Sequence, residues 1–309
     1  MIPYRLSLRA RAPSLTPWLA DTILGSLWWR LAQRSGEQAL LNLLDRCRLG
    51  DPPLVVSDGF AADRLPAPIM PPRPRVAGKR DGMRALAEAK RERRRGFLSW
   101  DGFASRCRGD WTASEEGGWH TRLAAHNTVS RAGFTTGDEA GELYSLAERA
   151  ASHNLISVYL RVEANWEDQA RTLWDDLARV GFGRRASVGF GAFSLQAWEP
   201  WPALDDLSRD ADAWTSLSSW TPAAADPTEG WYRIRMKHGR VGEDLAQRRG
   251  SAVFKRGLLM IEAGSTFRVR DNPREWYGRL VDGIYDADPR VAQAGFALAV
   301  GVRLPAWVG

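Results

Sequence analysis

Cysteine and histidine are scarce in this sequence. Its 309 residues include two cysteines, Cys47 and Cys107, and four histidines. Two isolated cysteines provide neither a disulfide framework nor a CxxC metal pair. The sequence also has no HExxH or GxSxG motif and no clustered acidic site. It therefore predicts no metal site and no cofactor, and it gives little support to hydrolase chemistry.

Long apolar runs are absent as well. No stretch approaches the roughly 20 residues that a membrane helix needs. Arg5, Arg9 and Arg11 occupy the segment where a secretory signal would need an apolar core. Hydrophobic residues make up 44% of the chain, which is enough for the cores of two ordinary domains. These features together predict a cytoplasmic soluble protein that does not bind a membrane.

Positive charge is concentrated in one segment. The net charge is +6, and residues 73–95 hold ten basic and three acidic residues, so the remaining chain carries −1. Such local basicity is typical of a nucleic-acid contact, although a solvated helix face is the alternative. We predict a short charged helix at residues 83–95, within an insertion at about residues 70–125 that is partly disordered without a partner. The proline-rich residues 51–74 predict an extended surface path.

The first 200 residues predict alternating strands and helices. Residues 4–11 alternate between apolar and polar side chains, as in a strand. A helix follows, with Thr16 as its N-cap, Pro17 in its first position and Gly36 beyond its end. Residues 155–162 predict a second strand.

A second helix is predicted from Asn165 to Val180, with Gly181 as its left-handed C-cap residue, and a strand at residues 188–197. The order strand, helix, strand, helix, strand is that of a ferredoxin-like fold. Such a fold leaves one sheet face open, and RNA-recognition domains use this face for single-stranded RNA. Arg5, Arg9 and Arg11 would lie on it.

A second unit is predicted after a linker at residues 200–227. Strands are indicated at residues 231–237, 253–261 and 296–302, and residues 275–284 are the best helix candidate. We therefore expect an α+β protein with domains at residues 1–199 and 200–309.

A glycine-rich loop between the second helix and the next strand is the sharpest local feature. Glycines let a backbone approach a phosphate, and arginines supply charge and hydrogen-bond donors. The loop precedes a strand and lacks GK[ST], so it is neither a P-loop nor a dinucleotide fingerprint. Composition alone leaves a glycine-rich turn with a bulged strand equally open. The candidate residues are Gly181, Gly183, Arg184, Arg185, Ser187, Gly189 and Gly191.

This loop resembles the G-x-G-x-(R/K)-x-S-x-G-x-G pattern of RAMP proteins from CRISPR–Cas systems. Other segments, in the same order along the chain, resemble the subunit that caps the 5′ end of the guide RNA in type III-A (Csm) complexes. Residues 75–120 match nothing in that pattern. The segments are residues 21–27, 56–60, 65–68, 126–131, 141–144, 255–260 and 264–267.

The resemblance implies two ferredoxin-like (RRM/RAMP) domains, with the glycine-rich loop and a basic insertion in the first. It implies a non-catalytic antiviral subunit that binds the 5′ handle of the guide RNA (crRNA). The protein partners would be the large polymerase/cyclase-like subunit and the backbone RAMP subunits, and a hairpin thumb would contact the guide–target RNA duplex. The family's chemistry resides in other subunits.

Further RNA-binding residues are predicted from this resemblance and from the basic segment. Each has a structural alternative, such as a turn, a cap or a solvated charge. They are Arg5, Lys79, Arg80, Lys90, Arg91, His126, Asn127, Arg131, Lys255 and Arg256.

Two other functions stay open. A RAMP endoribonuclease that processes precursor guide RNA would use a histidine as general acid/base, and His126 is the reasonable candidate. The mid-chain position of the glycine-rich loop counts against it, since processing RAMPs usually carry theirs near the C-terminus. The other is the corresponding cap subunit of a type I or IV DNA-targeting complex.

Overall fold

The computed structural model describes residues 1–71, 83, 87, 90, 96–128, 143–241 and 254–306. Most of the predicted helix at residues 83–95 lies outside the described residues. Four of the predicted RNA-binding residues also lie outside them, namely Lys79, Arg80, Arg91 and Arg131.

Strands and helices alternate through the N-terminal two thirds of the chain. The elements up to the first long gap are β1 (Ile2–Ala10), α1 (Ala20–Ser35), α2 (Glu37–Arg48), β2 (Leu54–Val56), β3 (Phe60–Ala61) and β4 (Leu65–Pro66). They are followed by β5 (Phe97–Leu98), α3 (Trp100–Cys107), β6 (Trp119–Asn127), β7 (Leu143–Ala151), β8 (Leu155–Val162), α4 (Glu167–Val180) and β9 (Phe193–Pro200).

The C-terminal third is mainly β-structure. Its elements are α5 (Ala203–Asp206), β10 (Ala213–Ser216), β11 (Gly230–Trp231), β12 (Ile234–Lys237), β13 (Leu258–Ile261), β14 (Thr266–Arg268), β15 (Trp276–Val281) and β16 (Gln293–Val302).

The first sheet has the strand order β2-β8-β1-β9, with β3 also paired to β8. All of these pairs are antiparallel. Helices α1 and α4 cover one face, where Leu6 and Leu8 of β1 are fully buried. The predicted stripes on both helices are buried, since Ile23, Leu27 and Trp174 are all withdrawn from solvent. The predicted alternation of strands and helices is therefore present.

The expectation of an open face on this sheet is wrong for most of that face, although Arg9 and Arg11 at one end of it are exposed. Tyr159 and Arg161 of β8 point to the side of the sheet opposite the helices, and both are buried. The Tyr159 ring stacks on Trp100 of α3 at 5.5 Å between ring centroids. Arg161 forms an ion pair with Asp205 at 2.6 Å and contacts Glu275 at 3.3 Å. Helix α3 and the chain after β9 therefore cover most of the face that was expected to meet RNA.

Several predicted boundaries were also wrong. The first residue of α1 is Ala20, so Thr16 is not its N-cap, and α4 begins at Glu167 rather than next to Asn165. Gly181 has the expected positive φ of 86°, but its ψ of 167° lies outside the left-handed helical region. The strand expected from residue 188 begins at Phe193, because the residues before it form turns.

The proline-rich segment is not a surface path. Strand β2 within it is completely buried and pairs with β8, because its three residues Leu54–Val56 are all apolar. The predicted insertion is also structured after residue 96. Leu98 of β5 and Phe103 of α3 are fully buried in the main core. Helix α3 has only eight residues, so its buried residues are too few to show a helical period in the sequence.

A second sheet occupies the C-terminal third, with the order β11-β14-β10-β16-β15. The helix predicted at residues 275–284 is instead strand β15, paired along its length with β16. The single strand predicted at residues 231–237 is split between β11 and β12, which belong to different sheets. Within residues 207–241 and 254–306 the structure contains no α-helix.

One hydrophobic core connects the two large sheets. Phe296, Leu298 and Val300 of β16 belong to the same buried cluster as Leu24 of α1 and Leu160 of β8. Asp58, in the turn between β2 and β3, reinforces this connection with hydrogen bonds described below. The two halves of the chain are therefore packed together rather than joined by a free linker.

A candidate RNA interface between the glycine-rich loop and a β-hairpin

The glycine-rich loop, residues 181–192, is fixed by close backbone packing. A Cβ atom on Gly183 would lie 2.5 Å from the Cβ of Thr16, and one on Gly191 would lie 2.0 Å from the carbonyl oxygen of Phe182. Both glycines also have positive φ. Only glycine fits at these two positions, because both the space and the backbone conformation exclude a side chain.

An aromatic side chain anchors the loop from inside. Phe182 is fully buried, and its ring stacks on Trp18 at 4.1 Å between centroids. The loop closes on itself through a hydrogen bond from the Phe182 N–H to the Gly191 carbonyl at 3.0 Å. The Arg184 N–H donates to Thr16 Oγ1 at 2.9 Å. The rim of the loop is thereby presented to solvent on a rigid base.

The two loop arginines differ in their environment. Arg184 is exposed, and among the described residues its side chain has neither an ion pair nor a hydrogen bond. Arg185 has φ 60° and ψ 28°, a left-handed conformation that is uncommon for a residue with a side chain. Ser187 and Gly189 are exposed beside them. The loop therefore presents two guanidinium groups, one of them held in a fixed direction.

Arg185 reaches a β-hairpin formed by β6 and β7. Its Nη1 donates a hydrogen bond to the Tyr144 hydroxyl at 2.8 Å, and its guanidinium lies 4.9 Å from the centre of that ring. The Tyr144 ring stacks on His126 at 5.7 Å, and Phe190 of the loop meets His126 edge-on at 5.8 Å. The structure thus brings together His126 and the glycine-rich loop, two sites that lie about 60 residues apart in the sequence.

Glu148 holds the histidine from the other side. Its Oε1 lies 3.1 Å from His126 Nε2, and its Oε2 accepts a hydrogen bond from Arg122 Nε at 2.8 Å. Burial tends to raise the pKa of this carboxyl, but the hydrogen bonds from Arg122 and His126 outweigh it, so its pKa is lowered. Glu148 therefore stays ionised at neutral pH and fixes the imidazole in place.

The hairpin itself is mostly exposed. Its strands pair in register from Trp119 with Ala151 to Asn127 with Leu143. Leu123 and Leu143 are 79% and 72% exposed. The connection between the strands, which contains Arg131, lies outside the described residues. A two-stranded ribbon with exposed apolar side chains is suited to contact a second molecule.

The other predicted RNA-binding residues lie elsewhere. Arg5 forms ion pairs with Glu199 at 2.9 Å and Asp63 at 3.5 Å, and its guanidinium lies over the Trp201 ring. Arg256 forms an ion pair with Asp286 at 2.5 Å. Their charges are already matched within the protein.

No contact among the described residues places Lys255 or Lys90 in this site. Burial lowers the pKa of Lys255, whose ammonium lies near the carboxylate of Asp21. Lys90 is exposed and helical. No described contact joins either residue to Arg185 or His126.

The Ser57–Asp58 turn holds two parts of the fold together. Asp58 Oδ1 accepts hydrogen bonds from the backbone N–H of Ala20, at the start of α1, and of Ser219, at 2.8 and 3.0 Å. Its Oδ2 accepts from the Ser219 hydroxyl at 2.9 Å. Burial raises the pKa of Asp58, although these hydrogen bonds oppose the shift. Asp58 thus ties the first helix to the C-terminal third.

Sequence reasoning missed the groups that connect the site. Tyr144 appears in the sequence only as part of a short motif, Thr16 was predicted as a helix N-cap rather than a loop contact, and Glu148 and Phe190 were not singled out. Glu148 is twenty-two residues from His126, and only the antiparallel register of the hairpin brings the two together. Among the described residues no group of three or more His, Cys, Asp or Glu could hold a metal ion.

Comparisons with known proteins show which structures have a similar fold. No protein-family model matches the chain, and no curated protein matches it. A solved structure described as a Csm1-Csm4 cassette in complex with pppApA aligns at 18% identity and a TM-score of 0.60, covering 98% of this chain and 99% of the other. The same cassette in complex with cA4 aligns at 16% identity with the same TM-score and coverage.

A second kind of assembly contains a similar chain. A Csm3-Csm4 subcomplex of the type III-A CRISPR–Cas interference complex aligns at 12% identity and a TM-score of 0.57, covering 98% of this chain and all of the other. Csm4 is the component that these structures share. None of the described helices is long and apolar enough to cross a membrane. The resemblance inferred from the sequence is confirmed at the level of the fold, since the chain is similar in fold, over nearly its whole length, to a chain of these Csm4-containing structures.

Proposed function

We propose that this protein is the non-catalytic subunit that binds the 5′ handle of the guide RNA in a type III CRISPR interference ribonucleoprotein. The observation that carries the proposal is the junction of Arg185, Tyr144 and His126, where the glycine-rich loop meets the hairpin. It combines fixed cationic donors with accessible aromatic surface. Single-stranded RNA is bound by this combination, because arginine matches phosphate and aromatic rings stack on bases.

The geometry favours holding RNA over reading its sequence. Arg184 has no protein partner among the described residues, so it can turn to a phosphate without breaking an ion pair. The rigid loop base lowers the entropic cost of binding, since Phe182 and the glycines already fix the backbone. Each charge-assisted phosphate contact contributes about 1.5–3 kcal/mol before compensation. Two arginines on a rigid loop thus provide an anchor for a short RNA segment.

The hairpin is proposed to contact the guide–target duplex. It carries exposed Leu143 at the end of its described part and exposed Leu123 midway along β6, and Arg122, although paired with Glu148, is 74% exposed. Apolar side chains on a ribbon can enter a base step, while a basic edge tracks the phosphates. The basic residues 73–95 would add charge to the same assembly.

Protein partners are proposed to be the large polymerase/cyclase-like subunit and a backbone RAMP subunit, which this chain would bridge. The ribbon of β12 and β13 supports protein docking, because its outer face is apolar. Ile234, Met236 and Leu259 are 59%, 54% and 56% exposed, whereas Arg235 and Lys237 point inward. Apolar side chains thus face solvent while charged ones face the protein, which is the reverse of an ordinary surface strand and supports an interaction surface.

The domain arrangement stays a proposal too. We propose ferredoxin-like domains at residues 1–199 and 200–309. The order β2-β8-β1-β9 with two helices on one face supports the first. The proposed second domain has a five-stranded sheet and, among its described residues, no α-helix after residue 206. This supports a ferredoxin-like sheet without its helices.

One observation favours the alternative of a processing endoribonuclease. The pair of His126 and Glu148 supplies the titratable partner that a general acid/base needs. Arg122 already neutralises Glu148, however, and Tyr144 and Phe190 enclose the imidazole. The arrangement therefore favours a histidine that positions the hairpin. A cap subunit of a type I or IV complex would share the fold and differ in its large subunit.

The function is tested by assembling the complex with and without this protein on guide RNA. Ultraviolet crosslinking should place residues 181–192 or 119–127 on the nucleotides of the handle. Guides that lack the handle should give no such crosslink. Crosslinks confined to the spacer part of the guide would refute handle binding.

A further inference from the structure

Two arginines beside the proposed RNA interface have no acidic partner. Arg149 lies on β7 at the base of the hairpin, and Arg235 lies on β12. Neither forms an ion pair with any described residue, whereas Arg5, Arg46 and Arg161 each pair with two carboxylates. Arg235 makes only a long hydrogen bond of 3.4 Å to the Ser219 hydroxyl. Two partly buried guanidiniums without a carboxylate among the described residues need an explanation, because desolvating a charge without a partner is costly.

Arg149 points into a small crevice. The crevice is lined by Ser14, Trp18, Trp119, Arg149, Ile156 and Gly191. Arg149 Nε and Ser14 Oγ are both buried and neither has a hydrogen-bond partner. Ser14 is only 3% exposed. Buried polar groups are almost always satisfied, so two unsatisfied donors in one crevice indicate a missing acceptor.

The backbone fixes these two donors relative to each other. Ser14 and Arg149 exchange two hydrogen bonds, N–H to carbonyl in each direction, both at 2.9 Å. The guanidinium of Arg149 lies 5.5 Å from the centre of the Trp119 ring, which supports its flat face. Trp119 is held in turn by a hydrogen bond from its Nε1 to the Gly59 carbonyl at 3.2 Å. The donors are thus preorganised rather than free to turn away.

The local electrostatics favour an anion. Burial lowers the pKa of Arg149, and the nearby positive charge of Arg235 lowers it further. An oxyanion in the crevice would reverse both effects by supplying a countercharge and hydrogen-bond acceptors. Phosphate has several acceptor oxygens and suits the planar arginine fork.

We propose that one oxygen of a phosphate group enters this crevice and that Arg149 and Ser14 are its hydrogen-bond donors. One wall is Gly191, the last glycine of the loop that carries Arg184 and Arg185. An RNA strand held by the loop rim would therefore find a further phosphate subsite at the hairpin base. For RNA as the source of the phosphate, this inference rests on the proposed function; a free phosphate ion is the other source.

The test compares Arg149→Gln and Ser14→Ala with the control Arg179→Gln, which removes an exposed arginine on α4. In the RNA arm, the affinity of the assembled complex for handle RNA is measured against salt. Arg149→Gln should weaken binding about tenfold and reduce the slope of log K against log salt by about 0.7, the value for one single-strand phosphate. Ser14→Ala should weaken binding less, and the control should bind like the wild type.

The second arm measures thermal unfolding with inorganic phosphate. Phosphate should raise the melting temperature of the wild type and not that of Arg149→Gln. Without phosphate, Arg149→Gln should melt no lower than the wild type, because it removes a buried unpaired charge. A lower melting temperature would identify Arg149 as a structural residue and overturn the proposal, as would wild-type behaviour of Arg149→Gln in both arms.

The two arms separate the possible failures. A response to phosphate alone would assign the site to the free ion, and a loss of RNA affinity alone would assign it to the RNA backbone. A wild-type complex that fails to bind handle RNA would refute the proposed function, and the phosphate arm would still decide the fate of this site.

Discussion

Arg185 of the glycine-rich loop donates a hydrogen bond to the hydroxyl of Tyr144 on the hairpin, with 2.8 Å between nitrogen and oxygen. The same tyrosine stacks on His126, which is paired with Glu148. The loop and the hairpin are therefore one structural unit, although no segment of the sequence contains both. A substitution in either one should therefore alter the conformation of the other.

Tyr144 variants test this connection. Tyr144→Phe removes the hydrogen bond to Arg185 and keeps the ring, so handle-RNA binding should change by less than threefold. Tyr144→Ala also removes the stack and the cation–π contact, which contributes about 0.5–1 kcal/mol at exposed sites, and should weaken binding several-fold. Fluorescence anisotropy with handle RNA measures both. Equal effects of the two variants would mean that the ring has no role.

Deleting residues 76–95 should leave a folded protein. The described residues on either side of the segment meet, because the Ala67 N–H donates to the Gly96 carbonyl at 2.9 Å and β4 pairs with β5. A short linker can therefore replace it. The segment carries eight basic and three acidic residues, so RNA binding by the complex should weaken and become less sensitive to salt. Circular dichroism and salt titrations check both points, and a variant that fails to fold would show that the segment belongs to the core.

Asp58→Asn tests the pH dependence of stability. The pKa of Asp58 is raised by burial, so the folded state binds its proton more tightly than the unfolded state does. The wild type should therefore lose stability relative to Asp58→Asn as pH rises from about 4, the ordinary value for aspartate, through the raised pKa. Above that pKa the difference should be constant. Urea unfolding of both proteins between pH 4 and 8 measures it, and a difference that grows in favour of the wild type would contradict the assignment.

The sequence predicted the local elements of the first 200 residues better than their surroundings. Hydrophobic periodicity placed β8 at residues 155–162 and identified the buried stripes of both long helices, because these depend on neighbouring residues alone. It did not reveal that the second sheet face is covered. That depends on Trp100 and Trp201, which reach Tyr159 from distant parts of the chain.

Strand β15 shows a different limit of local patterns. Residues 275–284 have apolar residues at spacings that suit a helix, but pairing with the long strand β16 overrides that preference. At the candidate site, the glycine-rich loop and His126 were found from composition and resemblance. Their contact through Tyr144 could not be predicted, because it depends on how the hairpin folds back over the loop.

The isolated protein should not cleave RNA. His126 has a carboxylate partner in Glu148, but Arg122 occupies the other oxygen of that carboxylate. Purified protein is incubated with precursor repeat RNA, first without metal and then with magnesium, beside the variants His126→Ala and Glu148→Gln. Sequence-specific cleavage that both variants abolish would establish the processing enzyme instead.

The most direct test of the central claim is the affinity of the assembled complex for handle RNA with and without the loop arginines. Arg184→Ala combined with Arg185→Ala should weaken binding by at least tenfold, because each phosphate contact contributes about 1.5–3 kcal/mol before compensation. The salt dependence should become shallower, since fewer counterions are released. Arg179→Ala, an exposed arginine on the neighbouring helix, is the matched control and should bind like the wild type. Unchanged affinity and slope in the double variant would contradict the assignment of the glycine-rich loop to RNA binding.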